Sequence, residues 1–357
     1  MNVKSFFRVT TAITLMLTVN FSAQAQLGGA LKKAADAAKK EVIKETPKET
    51  PKETSTSSSS VTTGSTAQPA AAATSQQPWV VDKEGRGRIH ATYANGVLTF
   101  KGYGEMKNFT VSLLLNGEIR DDRPWAAYVK EIKSVVVEEE ITHLGNHAFH
   151  SCENLTSVSL PGTLVNIQGA AFWVCKSLTS ITLPKSLTAF SGGEVTNPEN
   201  PARNMQAGLF GQCTSLTEIK VADGNEKFKS VNGVLYFNLS TKWRLAAYPA
   251  GRKDATFNVP DQTPVIMVGA FSYCKALKTI VLPATCSEIQ QVAFMGCTGL
   301  ESITMKHPTG AVKLSDQVFR DVDMSKVKIY VPKGILENYT TRADSDWREW
   351  KDQIIGQ

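Results

Sequence analysis

The sequence predicts a repeat solenoid of the α/β class, with a parallel β-sheet along one face, a β-rich cap in front of it and a helical cap behind it. Three observations predict it. Leu155, Val158, Leu160 and Pro161 recur 23 residues later as Leu178, Ile181, Leu183 and Pro184. Ala148, Phe149 and Cys152 recur at the same offset as Ala171, Phe172 and Cys175, and the pattern returns at Ala270, Phe271, Cys274 and at Ala293, Phe294, Cys297. Within the strand part of each copy, apolar residues alternate with Ser or Thr, which is the period of a half-buried strand. Read together, the copies make eight strand-bearing units between Ile132 and Pro332. One such unit cannot bury its own apolar face, whereas stacked units bury one another's.

Residues 1–25 read as an export signal: Lys4 and Arg8 are its basic end, Val9 to Val19 its apolar stretch, and Ala23 and Ala25 the small residues of a cleavage site before Gln26. The apolar stretch is short of the roughly 20 residues a membrane span needs. A mature chain without a transmembrane segment is therefore expected, either secreted, held at the cell surface or periplasmic. Residues 26–78 change to Ala/Lys and then to Ser, Thr, Pro and Gln, a composition that reads as a disordered linker.

Residues 79–131, with Val97, Leu98, Phe100 and Trp125, read as the β-rich cap, and 132–332 as the solenoid. Insertions fall at 191–208 and at 223–253; the second, with apolar runs Gly233 to Tyr236 and Leu245 to Tyr248, reads as a β-hairpin projecting from the solenoid. In 333–357, Tyr339, Trp347, Trp350 and Ile354 stand at helical spacings and predict a capping helix.

Pro161 and Pro184 end their strands because proline has no backbone donor to continue the ladder. Ala and Phe then return the chain to the core, the small residue making room for the ring. These residues resemble the bacterial BspA-type leucine-rich repeat family, whose unit of about 23 residues combines the same strand, proline, Ala-Phe and Cys. The resemblance covers roughly Ile132 to Pro332. Glu138 and Ala222 depart from the strand-ending Pro, Asp254 from the expected Leu, and Arg320 to Val322 from the Cys region. The resemblance implies a binding role at or beyond the cell envelope, such as adhesion.

With 42% hydrophobic and 20% charged residues in 357, a wholly disordered chain is excluded. The net charge of +6 becomes +4 without the first 25 residues, too nearly neutral for a phosphate-binding surface, so no nucleic-acid partner is expected. Five of the six cysteines occupy one repeat position and read as an inward stack of thiols acting as small hydrophobes. His143, His147 and His150 are spaced like ligands, but their counterparts in other copies vary freely, so they read as surface residues; no metal and no cofactor is expected. No nucleophile with a base, no facing carboxylates and no phosphate loop stand out, so the chain reads as non-enzymatic.

The best candidate binding surface is the exposed sheet face, carrying Ser134, Ser157, Ser159, Ser180, Thr182, Glu218, Lys220, Thr279, Ser302, Thr304 and Tyr330. Short hydroxyls make a low, weakly charged strip suited to a broad protein or glycan contact, or else they are ordinary solvent-facing strand residues. The hairpin, through Tyr236 and Trp243, is the other candidate. The expected function is a binding or adhesion module for a protein or glycan partner. The alternatives are an envelope glycan-binding or accessory protein of a carbohydrate-processing system, or a purely structural envelope component.

Overall fold

In the strand Ser180–Leu183, Ile181 and Leu183 are buried while Ser180 and Thr182 face solvent, the alternation that the composition of the repeat dictates. The computed structural model describes residues 78–113, 119–191, 209–343 and 345–357. The expected signal at 1–25, nearly all of the linker and all but the first residue of the insertion at 191–208 lie outside the described residues. Among the described residues no helix is long and apolar enough to cross a membrane.

Each turn contributes a strand to each of two parallel ladders. In the first, eight strands follow in order: Ser134–Val137, Ser157–Ser159, Ser180–Leu183, Glu218–Val221, Thr256–Asn258, Thr279–Leu282, Ser302–Met305 and Lys328–Val331. Register follows the period, so that Ser134 pairs with Ser157 and Thr279 with Ser302. The second ladder uses the short strands Ile141–Leu144, Asn166–Gln168 and Ala189–Ser191, and later Val265–Ile266, Glu288–Ile289 and Lys313–Leu314. The corners stack as well: the Phe149 amide donates to the Ala171 carbonyl at 2.8 Å and the Phe271 amide to the Ala293 carbonyl at 2.8 Å.

The α/β expectation is corrected here, because the turns return by tight corners rather than helices. Left-handed residues stand four apart in the corners, at His147 and Ser151, Ala170 and Val174, Val292 and Gly296, and Gln317 and Asp321. Helical hydrogen bonding does not propagate past such residues. Val174, at φ 63°, is β-branched, and Gly296 holds the same corner position at φ 68°. A left-handed β-branched residue is strained by about 1–2 kcal/mol, part of which glycine's greater unfolded-state freedom cancels. Val174→Gly is therefore expected to raise stability by about 0.5–1 kcal/mol in urea denaturation, and a loss would contradict the strain.

Inside, Phe149, Phe172 and Phe210 follow one another at ring-centre distances of 5.2 and 6.0 Å, and Phe271, Phe294 and Phe319 at 5.1 and 5.6 Å. All six cysteines are free and buried. Several thiols donate to a Phe carbonyl of the preceding turn, Cys213 to Phe172 at 3.1 Å and Cys297 to Phe271 at 2.8 Å. A small, weakly donating side chain is what that position needs. Burial pushes the Cys152 thiol up to about 12, so it stays protonated at neutral pH.

The hairpin does not project. Its strands Phe228–Val231, Val234–Leu239 and Lys242–Ala247 lie in the second ladder, and Leu245 pairs in parallel with Ile266 of the next turn. The Tyr248 amide then donates to the Ala270 carbonyl at 2.7 Å, and its ring lies 5.3 Å from Phe271, so Ala247 and Tyr248 serve as that turn's Ala-Phe corner. Asp254, where Leu was expected, accepts from the Tyr248 hydroxyl at 2.8 Å and from Arg252 Nε at 2.6 Å. Alternate faces of the hairpin enter different cores: Phe228, Leu235 and Phe237 pack with the preceding turns, and Val234, Tyr236 and Leu245 with the following ones.

At the front, Ile89–Ala94 and Val97–Gly102 pair antiparallel, and the latter continues the first ladder beside Ser134–Val137. Trp125 is fully buried, edge-on to Phe100 at 5.2 Å, with its indole N–H on the Ala148 carbonyl at 3.1 Å. At the back, the expected helix is confined to the five residues Leu336–Thr340 plus 3-10 turns, and Ile354–Gly356 instead forms a strand parallel to Lys328–Val331. A strand there satisfies the backbone groups that the last rung would otherwise leave open. Trp347 and Tyr339 are still fully buried, and the Trp347 indole donates to the Val312 carbonyl at 2.6 Å.

Candidate binding face

The outward positions of the first ladder form three panels, because its strands belong to three separate sheets. The first panel holds Ser134, Ser157 and Ser159, with the Ser157 hydroxyl donating to that of Ser134 at 3.0 Å. The second pairs Ser180 with Glu218 and Thr182 with Lys220, and Lys220 Nζ lies 3.3 Å from the Glu218 carboxylate. The third aligns Thr279 with Ser302 and Thr304 with Tyr330, with the Thr279 and Ser302 hydroxyls 3.0 Å apart. Ser157, Ser159, Ser180, Thr182 and Lys220 are exposed, while Ser134, Glu218, Thr279, Ser302, Thr304 and Tyr330 are half-buried between their neighbours. Sequence periodicity places these residues on one side of the chain, but it does not reveal the breaks between panels.

A charged row ahead of the strands was missed. Glu153 bridges Lys130 and Lys176, at 2.9 Å to Lys176, and Lys278 pairs with Glu301 at 2.9 Å. The side-chain hydrogen bonds from Lys130 and Lys176 hold the Glu153 carboxyl below its ordinary value. The signal was there to read: Lys130, Glu153 and Lys176 are spaced by one period each. Exposed pairs of this kind contribute little to stability, so their effect is to set the charge along the edge of the face.

The two hairpin candidates differ in environment. Tyr236 is only 3% exposed, and burial pushes its phenol up to about 12. Trp243 is half-buried, with the Lys229 ammonium 4.2 Å from its ring centre.

The histidines are half-buried rather than superficial. His143 lies in the strand Ile141–Leu144, while His147 and His150 sit in the following corner with ring centres 5.4 Å apart. Their Nδ1 atoms meet Thr142 Oγ1, the Phe109 carbonyl and Ser151 Oγ. No cluster of His, Cys, Asp or Glu able to hold a metal occurs among the described residues. Burial first, then the charges of His147 and Arg123, lowers the His150 pKa to about 4.

Between pH 6.5 and 4 the unfolded state binds a proton at His150 that the folded state refuses, so acid favours unfolding in that window. Folding stability is expected to fall across this window and level off below it, by at most about 1.4 kcal/mol for each pH step of one, less whatever water reaching the ring screens. His150→Gln should shrink the difference in denaturation midpoint between about pH 7.5 and about pH 4.5, which bracket most of that window. Equal differences in both proteins would refute the assignment.

The BspA type leucine rich repeat region matches the chain in six copies over residues 126–232 and 253–341, interrupted only at the hairpin. No curated protein matches it. Among solved structures, the chain is similar to a leucine-rich repeat protein of Eubacterium ventriosum, at 20% identity over 69% of this chain and 76% of that one, with a TM-score of 0.37. It is also similar to the pneumococcal vaccine antigen PcpA, at 20% identity over 64% and 68% and a TM-score of 0.39. A leucine rich cell surface protein of Faecalibacterium prausnitzii is 18% identical over 79% of this chain and 95% of that one, with a TM-score of 0.31. Two matched stretches that together span more than half of the sequence, meeting at the wedge-like hairpin, place the chain in the BspA-type leucine-rich repeat family.

Proposed function

We propose that the protein is an exported, non-enzymatic binding module that holds a protein partner on the hydroxyl-lined face of its first ladder, at or outside the cell envelope. The observation that carries this reading is the in-register row of small hydroxyls, Ser134 with Ser157 and Thr279 with Ser302, each pair joined by a hydrogen bond of 3.0 Å. Such a surface is low enough for a partner to lie across several turns and polar enough to offer donors and acceptors at regular intervals. Affinity would be spread over the turns, anchored by half-buried Tyr330 and bounded by the Lys and Glu row.

The test uses the mature chain as bait against the proteins of intact neighbouring or host cells, with the captured partner then purified and titrated. Ser157→Lys with Ser180→Lys is expected to weaken binding of that partner by tenfold or more, roughly 1.4 kcal/mol, while Ser287→Lys on the second ladder leaves it unchanged. Unchanged binding in the double variant would discard the face. Recovery of a mature N-terminus at Gln26, and loss of the Ser-rich segment when intact cells are shaved with protease, are the expected marks of export to the surface. Hydrolysis of any substrate by the purified chain would overturn the non-enzymatic reading.

A further inference from the structure

We propose that the cleft between the hairpin and the turn that follows it binds an acidic saccharide, a sugar chain bearing carboxylate or sulfate groups. The cleft lies on the second ladder, so it is independent of the face discussed above. It encloses about 640 Å³, within the range of small-molecule sites. Its floor is one face of the hairpin sheet, where Lys229 stands opposite Tyr236 and Trp243 lies two residues before Tyr236's other partner, Leu245. Its far wall carries Asp261, Gln262 and Thr285.

Tyr236 makes the site more than a groove. Its side chain is 3% exposed and lines the cleft, yet among the described residues its hydroxyl has no hydrogen-bond partner. The hydroxyl itself is not sealed from solvent, so water serves it in the free protein and a sugar hydroxyl can take that water's place. The phenol is raised by burial, so it is a neutral donor at pH 7.

The Lys229 ammonium lies over one face of Trp243, 4.2 Å from the ring centre, so the pair offers a cation to an acidic substituent and the uncovered part of the indole to the C–H groups of the same sugar. Asp261 and Gln262 offer acceptors for ring hydroxyls. A peptide added as a strand fits less well, because Val234–Leu239 has strand neighbours on both sides and Lys242–Ala247 meets the next turn at Leu245 and Ile266, which leaves only the short edge from Lys242 to Arg244 open.

Calorimetric titration of the mature chain with trigalacturonate, a sulfated galactose trimer and a neutral galactose trimer tests this. At least one acidic trimer is expected to bind saturably, one per chain, and roughly tenfold tighter than the neutral one. Lys229→Gln and Trp243→Phe should each weaken it by roughly threefold or more. Tyr236→Phe should weaken it too while leaving the thermal midpoint unchanged, because the lost hydroxyl bonds nothing within the protein. Binding of only one acidic trimer supports the site and identifies its acid group. No saturable binding of either, equal binding of the neutral trimer, or wild-type affinity in both Lys229→Gln and Tyr236→Phe would overturn the proposal.

Discussion

Phe294→Ala is expected to cost about 3–5 kcal/mol of folding free energy, read as a lower midpoint in urea with little change in slope. The ring is fully buried and nearly parallel to both neighbours, 7° from Phe271 and 13° from Phe319. Its removal leaves a gap that the neighbours cannot close. Their backbones are pinned from turn to turn, the Phe294 amide to the Val318 carbonyl at 2.9 Å and the Phe271 amide to that of Ala293 at 2.8 Å. In a stacked array each turn is stabilised by the next, so losing one interior contact weakens two interfaces at once. Phe257→Ala, which truncates a half-buried ring, should cost clearly less. Equal costs would mean that the rings do not form a continuous interior column.

The second large effect is expected at Arg123. Its side chain is 1% exposed and pairs with Asp121, and Nη1 also reaches the carbonyls of His147, Ala148 and His150. Arg123→Met keeps most of the apolar stem but strands an acidic group and the carbonyls of the first corner, and should cost about 3–5 kcal/mol. Burial raises the Asp121 pKa, but the hydrogen bond and charge of Arg123 outweigh it and hold the carboxyl below its ordinary value. In the wild type this contributes stability above the unfolded carboxylate range that is lost as pH falls through the folded value. The variant should therefore lose less on acidification through that range than the wild type does. A variant as stable as wild type, or one with the same acid loss, would show that the front cap does not depend on this ion pair.

The period and the inward residues were legible because both are local. A strand that buries Ile181 and Leu183 must alternate, and a corner that buries Phe172 must repeat its spacing. The hairpin's true place was not legible. Pro249 to Gly251 replace the usual Cys region, so Ala247 and Tyr248 could not be recognised as a corner from spacing alone. Gly251 shows how tightly that segment fits, since a Cβ there would collide with the Ser215 and Leu216 backbone. Helical spacing of Tyr339, Trp347 and Trp350 marked aromatics that pack together, Tyr339 and Trp347 buried and Trp350 half-buried. It misjudged the backbone, because a strand at Ile354–Gly356 pairs with the last rung where a helix could not. The candidate face was legible as a set of residues, but its division into panels depends on pairing between distant strands.

The hairpin also acts as a bulkhead. With Leu235 and Phe237 committed to one side and Tyr236 and Leu245 to the other, the two large interiors among the described residues share a wall, which Val265 and Met267 of the next turn extend on the first side. Damage on one side need not flood the other. Such a protein can lengthen or shorten either compartment by whole turns and still keep the same partition between them.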